Sequence, residues 1–466
     1  MLAASSSKTL RMTISKALDF LERRPYLVIL TIGGIFSLAY LFAMTLFPRA
    51  HGRVIDGDGI QYYAYIRSMV FDADFNFFND YKLLYGSNDG GVWTTTRTST
   101  GHAINLMSIG PALLWLPMFL IAYAGTWTIN LFGTHIPLDG ISLPFQLSVG
   151  LAGIAYATGG FCLCFRIAKH LSNAESAFWA VLVTWLASPA IYYSLSAPAY
   201  SHATSLFAVA LFVDNWYRTR EQTELTRYLL LGVLLGLVTL VRWQDLIIVL
   251  LPLAESAYGL LYKKTSFAAT LQRLGVMAGV TALAFTPQIL AWHAIYGELL
   301  LTPQGSDFMR WTDPQVLSVL FSWNHGLFSW TPGLLVAVCG FYWLGKHDAV
   351  LTFGSVLVLF TAIYVNASVE DWWAGEAFGA RRFISYSVLF TIALAALMSS
   401  YEWFRLKTWV RCTALCLILS NVLFLAQYQL SMRGYDNLAS YPTTAQQVLL
   451  ERFLIPWRLL TRPQSN

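Results

Sequence analysis

The chain has 466 residues, of which 56% are hydrophobic and only 12% charged, with a mean hydropathy of +0.53 and a formal net charge of +5. A soluble protein averages about 25% charged residues, so this chain has too little polar surface to face water all round, and a soluble multidomain enzyme is effectively excluded. The 30 basic residues form no cluster of the nucleic-acid-binding kind, which argues against DNA or RNA as a partner.

Residues 1–25 read as a cytoplasmic tail. Lys8, Arg11, Lys16, Arg23 and Arg24 precede a full-length apolar stretch, and no small-residue cleavage site follows it, so the segment is a tail plus permanent helix rather than a signal peptide. Stretches long enough to cross a bilayer, roughly 17 to 25 residues, lie at about 26–47, 141–165, 177–193, 199–217, 228–242, 245–262, 274–295, 329–345, 349–367, 383–400 and 408–430. Basic residues fall in alternate short loops: Arg166/Lys169, Arg218/Arg220/Arg227, Lys263/Lys264/Arg273, Lys346 and Arg405/Lys407/Arg411. By the positive-inside rule these are cytoplasmic, leaving 48–140, 296–328 and 368–382 as extracytoplasmic loops. The pattern predicts an all-α polytopic membrane protein over 26–430 with about eleven transmembrane helices, its N-terminus in the cytoplasm.

The stretch 103–125 is also long and apolar, yet counting it as a crossing inverts every later loop. It is therefore expected to lie along or dip into the outer face, bent near Pro111 and Pro117. Residues 431–466 read as an interfacial or extracytoplasmic tail, with an amphipathic helix over about 443–460 turning Val448, Leu449, Phe453 and Trp457 to lipid. The five cysteines form no disulfide or metal framework, Cys162/Cys164 and Cys412/Cys416 being placed as apolar packing residues.

Polarity concentrates in the first outer loop, which carries Asp56, Asp58, Asp72, Asp74, Asp80 and Asp89 against Arg49, Arg53, Arg67, Lys82 and Arg97. Within RVIDGDGIQYYAYIRSMVFDADF, Asp56 and Asp58 stand at the start of a helical pattern in which Tyr62, Ile66 and Met69 share a face. First-turn N–H groups favour an acid there, and a plain helix cap by Asp58 is the simpler reading. The D-G-D-G run is not an EF-hand, lacking the later ligands and the closing Glu. Walker, HExxH and G-x-S-x-G motifs are absent, and no cytoplasmic segment is long enough for a nucleotide fold.

An acid just after the first span, a long first outer loop with interfacial helices, and about eleven spans resemble the GT-C glycosyltransferases that use polyprenyl-phosphate sugars, a group with the protein O-mannosyltransferases and the aminoarabinose transferases of lipid A. The sharper pieces are DGDGIQYYAYIRS, GHAINLMSIGPALLWLP, LGLVTLVRWQDL, PQILAWHAIYG, NHGLFSWTPGL and WWAGEAFGARRF, in that order along the chain. The resemblance implies an inverting transferase in the cell (inner) membrane. Its partners would be a polyprenyl-phosphate-linked sugar donor, a glycan, lipid or protein acceptor, and membrane lipids, with the active site extracytoplasmic. It also implies that a first-loop acid is the general base. The spacing to a Tyr four residues on selects Asp58 with Tyr62 and leaves Asp56 as the alternative.

The leaving phosphate then needs cations. Arg242 ends a span on the outer side, where an unpaired charge is costly, although snorkelling to headgroups would also explain it. Arg381 and Arg382 precede the next span, and guanidinium forks suit phosphate oxygens; Glu376 or Asp371 would be competing partners. His325 and His102 are candidate substrate contacts or structural histidines, Trp373 a sugar-stacking or interfacial ring, and Glu376 a further substrate contact. No compact ligand spacing calls for a metal, so none is expected to be obligatory, with a divalent ion left as an option. The rival classes are a lipid or glycan transporter or flippase, and a polysaccharide polymerase or ligase. Against transport stand the absence of an inverted repeat and the few mid-span charges, Asp214 and Glu255 being the exceptions.

Overall fold

The structure is a computed structural model that describes residues 20–49, 52–86, 91–400, 403 and 405–461; Lys8, Arg11, Lys16, Asp89 and Arg462 lie outside the described residues. Among the described residues the regular structure is helical, apart from two isolated bridges, Arg97 with Ala103 and Met309 with Val369. Eight helices are long and apolar enough to cross a membrane: Pro25–Leu46, Gly110–Asn130, Leu143–Leu171, Trp243–Leu261, Phe267–Tyr296, Ala349–Ala367, Arg381–Ser399 and Lys407–Met432. The chain is an α-helical multi-pass membrane protein.

Eight rather than eleven helices meet both criteria, for identifiable reasons. The expected span 177–193 divides at Ser188-Pro189 into Ala174–Leu186 and Ala190–Leu195. The expected span 329–345 breaks into Leu327–Trp330, Pro332–Cys339 and Phe341–His347. Leu225–Val241 is apolar but only 17 residues long, and the continuous helix Ser201–Arg218 carries the polar His202, Thr204, Ser205 and Asp214, which lower its hydropathy. In the other direction, 103–125 is expected to bend near Pro111 and Pro117 at the outer face. Instead Gly110–Asn130 is one continuous helix, with Pro111 in its first turn, where a missing N–H costs nothing, and Pro117 inside it.

The parity question is geometric. Pro25–Leu46 and Leu143–Leu171 pack antiparallel: Tyr26 meets Phe165 with ring centroids 4.9 Å apart, Gly33 faces Thr158, and Tyr40 faces Gly150. The chain thus leaves the first helix and enters the second at the same end of the bundle. The Gly110–Asn130 helix is antiparallel to Leu143–Leu171 as well, since Tyr156 donates to the Leu114 carbonyl at 2.8 Å while Phe119 and Tyr123 sit on Phe145. Its C-terminal end therefore returns to the end from which the loop started.

Charges gather at the two ends of the bundle. At one end Arg411 bridges Glu22 and Glu175, Lys407 meets Glu175, Arg166 meets Asp214, Arg220 meets Asp348, and Arg227 meets Glu255 at 2.8 Å. Asp214 and Glu255 are thus each paired with an arginine. At the opposite end Arg67 binds Asp72 at 2.6 Å and the buried Asp80 at 2.9 Å, which folds the first loop on itself. Burial pushes the Asp80 carboxyl up to about 6 against the pull of Arg67.

The C-terminal segment departs from the single amphipathic helix expected over 443–460. It forms Ala445–Leu449, a 3-10 turn Glu451–Leu454 and Ile455–Leu460, because the Arg452 guanidinium sits 3.6 Å over the Phe424 ring and pins the turn to Lys407–Met432. Leu449, Phe453 and Trp457 are exposed as expected, but Val448 is fully buried.

Close helix packing depends on missing side chains. A Cβ on Gly153 would stand 1.9 Å from the Pro198 carbonyl oxygen, which belongs to backbone and cannot move aside, whereas one on Gly34 would meet nothing within 4 Å. Gly153→Ala is expected to lower stability by about 1–3 kcal/mol through overpacking, while Gly34→Ala is neutral or gains up to about 1 kcal/mol from helix propensity. Thermal unfolding of both variants in one detergent checks the contrast; equal melting temperatures would refute it.

Candidate functional site

The site starts at a turn that only glycine fits. Gly57 has φ +48°, and a Cβ there would come within 2.1 Å of the Tyr200 hydroxyl. Asp58 follows as the first residue of the Asp58–Arg67 helix, with Gly57 in the cap position. The helix-cap reading of Asp58 is corrected: its carboxylate bonds no N–H of its own helix but accepts from Arg381 Nη1 at 2.7 Å. One turn on, the buried Tyr62 donates to Ser201 Oγ at 2.8 Å. Gln61 fixes the helix from its other side, accepting from the Leu106 N–H at 2.9 Å, while the Asn105 amide donates to the Gln61 carbonyl at 3.0 Å.

Arg381 and Arg382 open the 3-10 turn Arg381–Tyr386, which runs directly into the buried Ser387–Ser399 helix, so their backbone is anchored in the core. Arg382 donates to both the carboxylate and the carbonyl of Asp371, at 2.7 and 3.1 Å. Arg242 stands in extended backbone between Leu225–Val241 and the 3-10 turn Trp243–Val249. It is buried and not snorkelling: Nη1 lies 2.5 Å from His202 Nδ1, and Nε lies 3.7 Å from the Asp245 carboxylate. Since an arginine N–H only donates, His202 Nδ1 is the acceptor. Asp245 is itself buried and accepts from the hydroxyls of Ser205 and Tyr386.

These groups share one cavity of about 720 Å³. Its polar end is lined by Asp58, Gln61, Tyr62, Ser201, His202, Arg242, Asp371, Arg381 and Arg382. From there it continues along Trp243, Leu246, Ile247 and Leu250 on one side and Thr361 and Val365 on the other, with Trp93, Phe308 and Trp311 completing the wall. A charged end joined to an apolar channel suits an amphiphile with an anionic head.

The other expected residues lie apart from the cavity lining. Asp56 pairs with Arg49 at the surface. His102 bonds the Thr100 hydroxyl at 2.9 Å, and Glu376 is exposed. Trp373 borders a separate cleft of about 250 Å³ with Arg310, Asp313 and Glu370. His325 is 4% exposed and sits behind the arginines. Its Nδ1–H donates to the Trp373 carbonyl at 2.8 Å, so Nε2 accepts from the Tyr441 hydroxyl at 3.0 Å. Both His325 and Ala374 have φ +64°, a strained pairing that sets the loop before Arg381.

His202 lines the polar end and Asp245 stands against Arg242 behind it, but neither was singled out from the sequence. Asp245 did leave a signal, an acid three residues after Arg242 in an apolar run, and His202 another, inside the polar APAYSHATS that opens an apolar stretch. Among the described residues, no group of three or more His, Cys, Asp or Glu side chains converges to hold a metal ion. No protein-family model and no curated protein matches the chain in sequence.

Burial lowers the His325 pKa to about 4, with the Trp373 carbonyl opposing and Arg381 adding to the shift. A histidine kept neutral in the fold but free to charge when unfolded contributes stability above about pH 6.5 that is lost as pH falls toward 4, by about 3 kcal/mol at most. His325→Asn tolerates the left-handed backbone and does not titrate. Its melting temperature should therefore fall less than that of the wild type between pH 7 and 4.5. Parallel pH curves for the two proteins would exclude this contribution.

Proposed function

We propose that the chain is a GT-C-type membrane glycosyltransferase that moves a sugar, with inversion, from a polyprenyl-phosphate donor to an acceptor hydroxyl on a glycan, lipid or protein. The observation that carries the reading is the cavity in which two carboxylates, three guanidinium groups and apolar walls meet. The order of motifs from DGDGIQYYAYIRS to WWAGEAFGARRF supports it. In this reading the protein lies in the inner membrane with the cavity on the extracytoplasmic side, where activated nucleotides are scarce and a lipid-linked donor is the available one. Gly110–Asn130 is then set aside, and the other seven long helices with the four shorter or broken stretches make up the eleven spans.

The roles follow from chemistry. Asp58 accepts the proton of the acceptor hydroxyl as its oxygen attacks the anomeric carbon; the bond from that carbon to the phosphate oxygen breaks, and polyprenyl phosphate departs. Arg242, Arg381 and Arg382 bind the phosphate and balance the charge that grows on it, each charge-assisted bond being worth about 1.5–3 kcal/mol. Tyr62 orients the helix that carries Asp58 by its bond to Ser201. The apolar walls formed by Leu246, Leu250 and Val365 would take the first isoprene units.

Protein in nanodiscs, given labelled polyprenyl-phosphate sugars and a cell-envelope extract as acceptor, tests the assignment. Asp58→Asn should reduce transfer by about 10²–10⁴-fold, while Asp56→Asn stays within a few-fold of wild type. Undiminished transfer by Asp58→Asn would sink the base assignment. Movement of the labelled lipid between leaflets without transfer would instead mark a flippase.

A further inference from the structure

Three cation–carboxylate pairs line the cavity or back directly onto it: Arg242 with Asp245, Arg382 with Asp371, and Arg381 with Asp58. The three pairs balance in charge, so an arriving phosphate brings an anion in excess and has to take a cation from one of the three acids. The acids are not equally held. Asp245 is buried and fixed by two hydroxyls, from Ser205 and Tyr386. Asp371 is gripped by Arg382 at both its carboxylate and its backbone carbonyl. Among the described residues Asp58 has a single hydrogen bond, to Arg381 through one oxygen; its side chain is 31% accessible, against 37% for the doubly gripped Asp371 and 1% for Asp245.

The cation side tells the same story. Arg381 Nε and Arg242 Nε are buried and have no hydrogen-bond partner among the described residues. A buried donor left unsatisfied is a cost that one carboxylate oxygen on Nη1 does not relieve. A phosphate offers several oxygens in a geometry that a guanidinium fork binds through two N–H groups at once. It can therefore fill the vacant Nε bond together with Nη2 on the other edge of the guanidinium, and its negative charge then competes with Asp58 for the same cation.

We infer that the Asp58–Arg381 ion pair is a latch opened by the donor's phosphate, an inference that rests on the glycosyltransferase reading above. In the donor-free protein Asp58 is committed to Arg381 and is not available to take a proton. Phosphate binding at Arg381 releases the carboxylate, so donor binding and arming of the base are one event. The donor then binds before the acceptor is activated, and a hydroxyl or water entering the empty cavity meets no free base.

The test is a binding measurement independent of turnover. Dodecyl phosphate, with inorganic phosphate as the headgroup alone, is titrated into protein in phosphatidylcholine nanodiscs and followed by tryptophan fluorescence, since Trp93, Trp243 and Trp311 line the cavity. Asp58→Asn should bind dodecyl phosphate at least about tenfold tighter than wild type, because its competitor for Arg381 is gone. Arg381→Gln should bind about tenfold or more weakly. Adding Asp58→Asn to Arg381→Gln should produce no tightening. Inorganic phosphate should show the same dependence on Asp58 at lower affinity, as it lacks the chain. Asp58→Ser serves as a second carboxylate-free variant should Asp58→Asn fail to fold.

Equal or weaker binding by the Asp58 variants overturns the latch, and so does tightening that persists without Arg381, which would be general charge repulsion. If Asp58→Asn abolishes transfer with phosphate affinity unchanged, the latch falls and the glycosyltransferase reading stands. Absence of saturable dodecyl phosphate binding in wild type and every variant overturns both.

Discussion

A guanidinium withdrawn from water has to be met by an anion or by ordered dipoles, and the upper end of this bundle is arranged around that requirement. Arg381 opens the turn that leads into the buried Ser387–Ser399 helix and meets Asp58, 323 residues earlier in the chain. That contact ties the first loop to the centre of the bundle. It also holds the Asp58–Arg67 helix against the polar end of the cavity, since moving Asp58 away requires another anion to meet the buried cation. Arg242 and Arg382 repeat the arrangement with Asp245 and Asp371. In a protein with so few charges, each buried cation effectively selects which acid must stand beside it.

Packing supplies the platform for those pairs. Beneath the Asp371–Arg382 loop lies an aromatic layer in which Tyr192 and Phe378 stack with centroids 5.5 Å apart, and Tyr428 meets both edge-on. Phe378 also joins Trp330 and Phe424, so the loop rests on residues drawn from several helices. His325 adds a polar joint at the same level, spending one ring nitrogen on Trp373 and the other on Tyr441. A loop held in this way keeps strained backbone at Ala374 and presents Arg381 and Arg382 at fixed positions. For the proposed transfer, preorganised cations would not need to reorient as charge develops on the departing phosphate.

Much of this was legible from charge scarcity. Asp58, Tyr62, Arg242, Arg381 and Arg382 stood out because a charge or a polar pattern in so apolar a chain demands a reason, and all five line the one cavity. The choice between Asp56 and Asp58 was less legible, as both precede the same helix. What separates them is where the turn at Gly57 points each side chain, Asp56 to Arg49 at the surface and Asp58 to Arg381 inside. His202 and Asp245 went unnoticed because a single histidine or aspartate in an apolar run carries no periodic signature. Their significance comes from Arg242, which is adjacent to Asp245 in sequence but to His202 only in space.

Hydropathy and the distribution of basic residues determined that the chain is helical and crosses a membrane, since the missing surface charge leaves no other solvent for its apolar helices. They also marked the end of the molecule where acids gather. Only the tertiary structure decided which helices are continuous, which acid meets which arginine, and that the polar end opens onto an apolar channel. Hydropathy is a local sum that any window of sequence carries, whereas ion pairing depends on distances between residues hundreds of positions apart. Asp58 and Arg381 become neighbours only when the helices between them have packed.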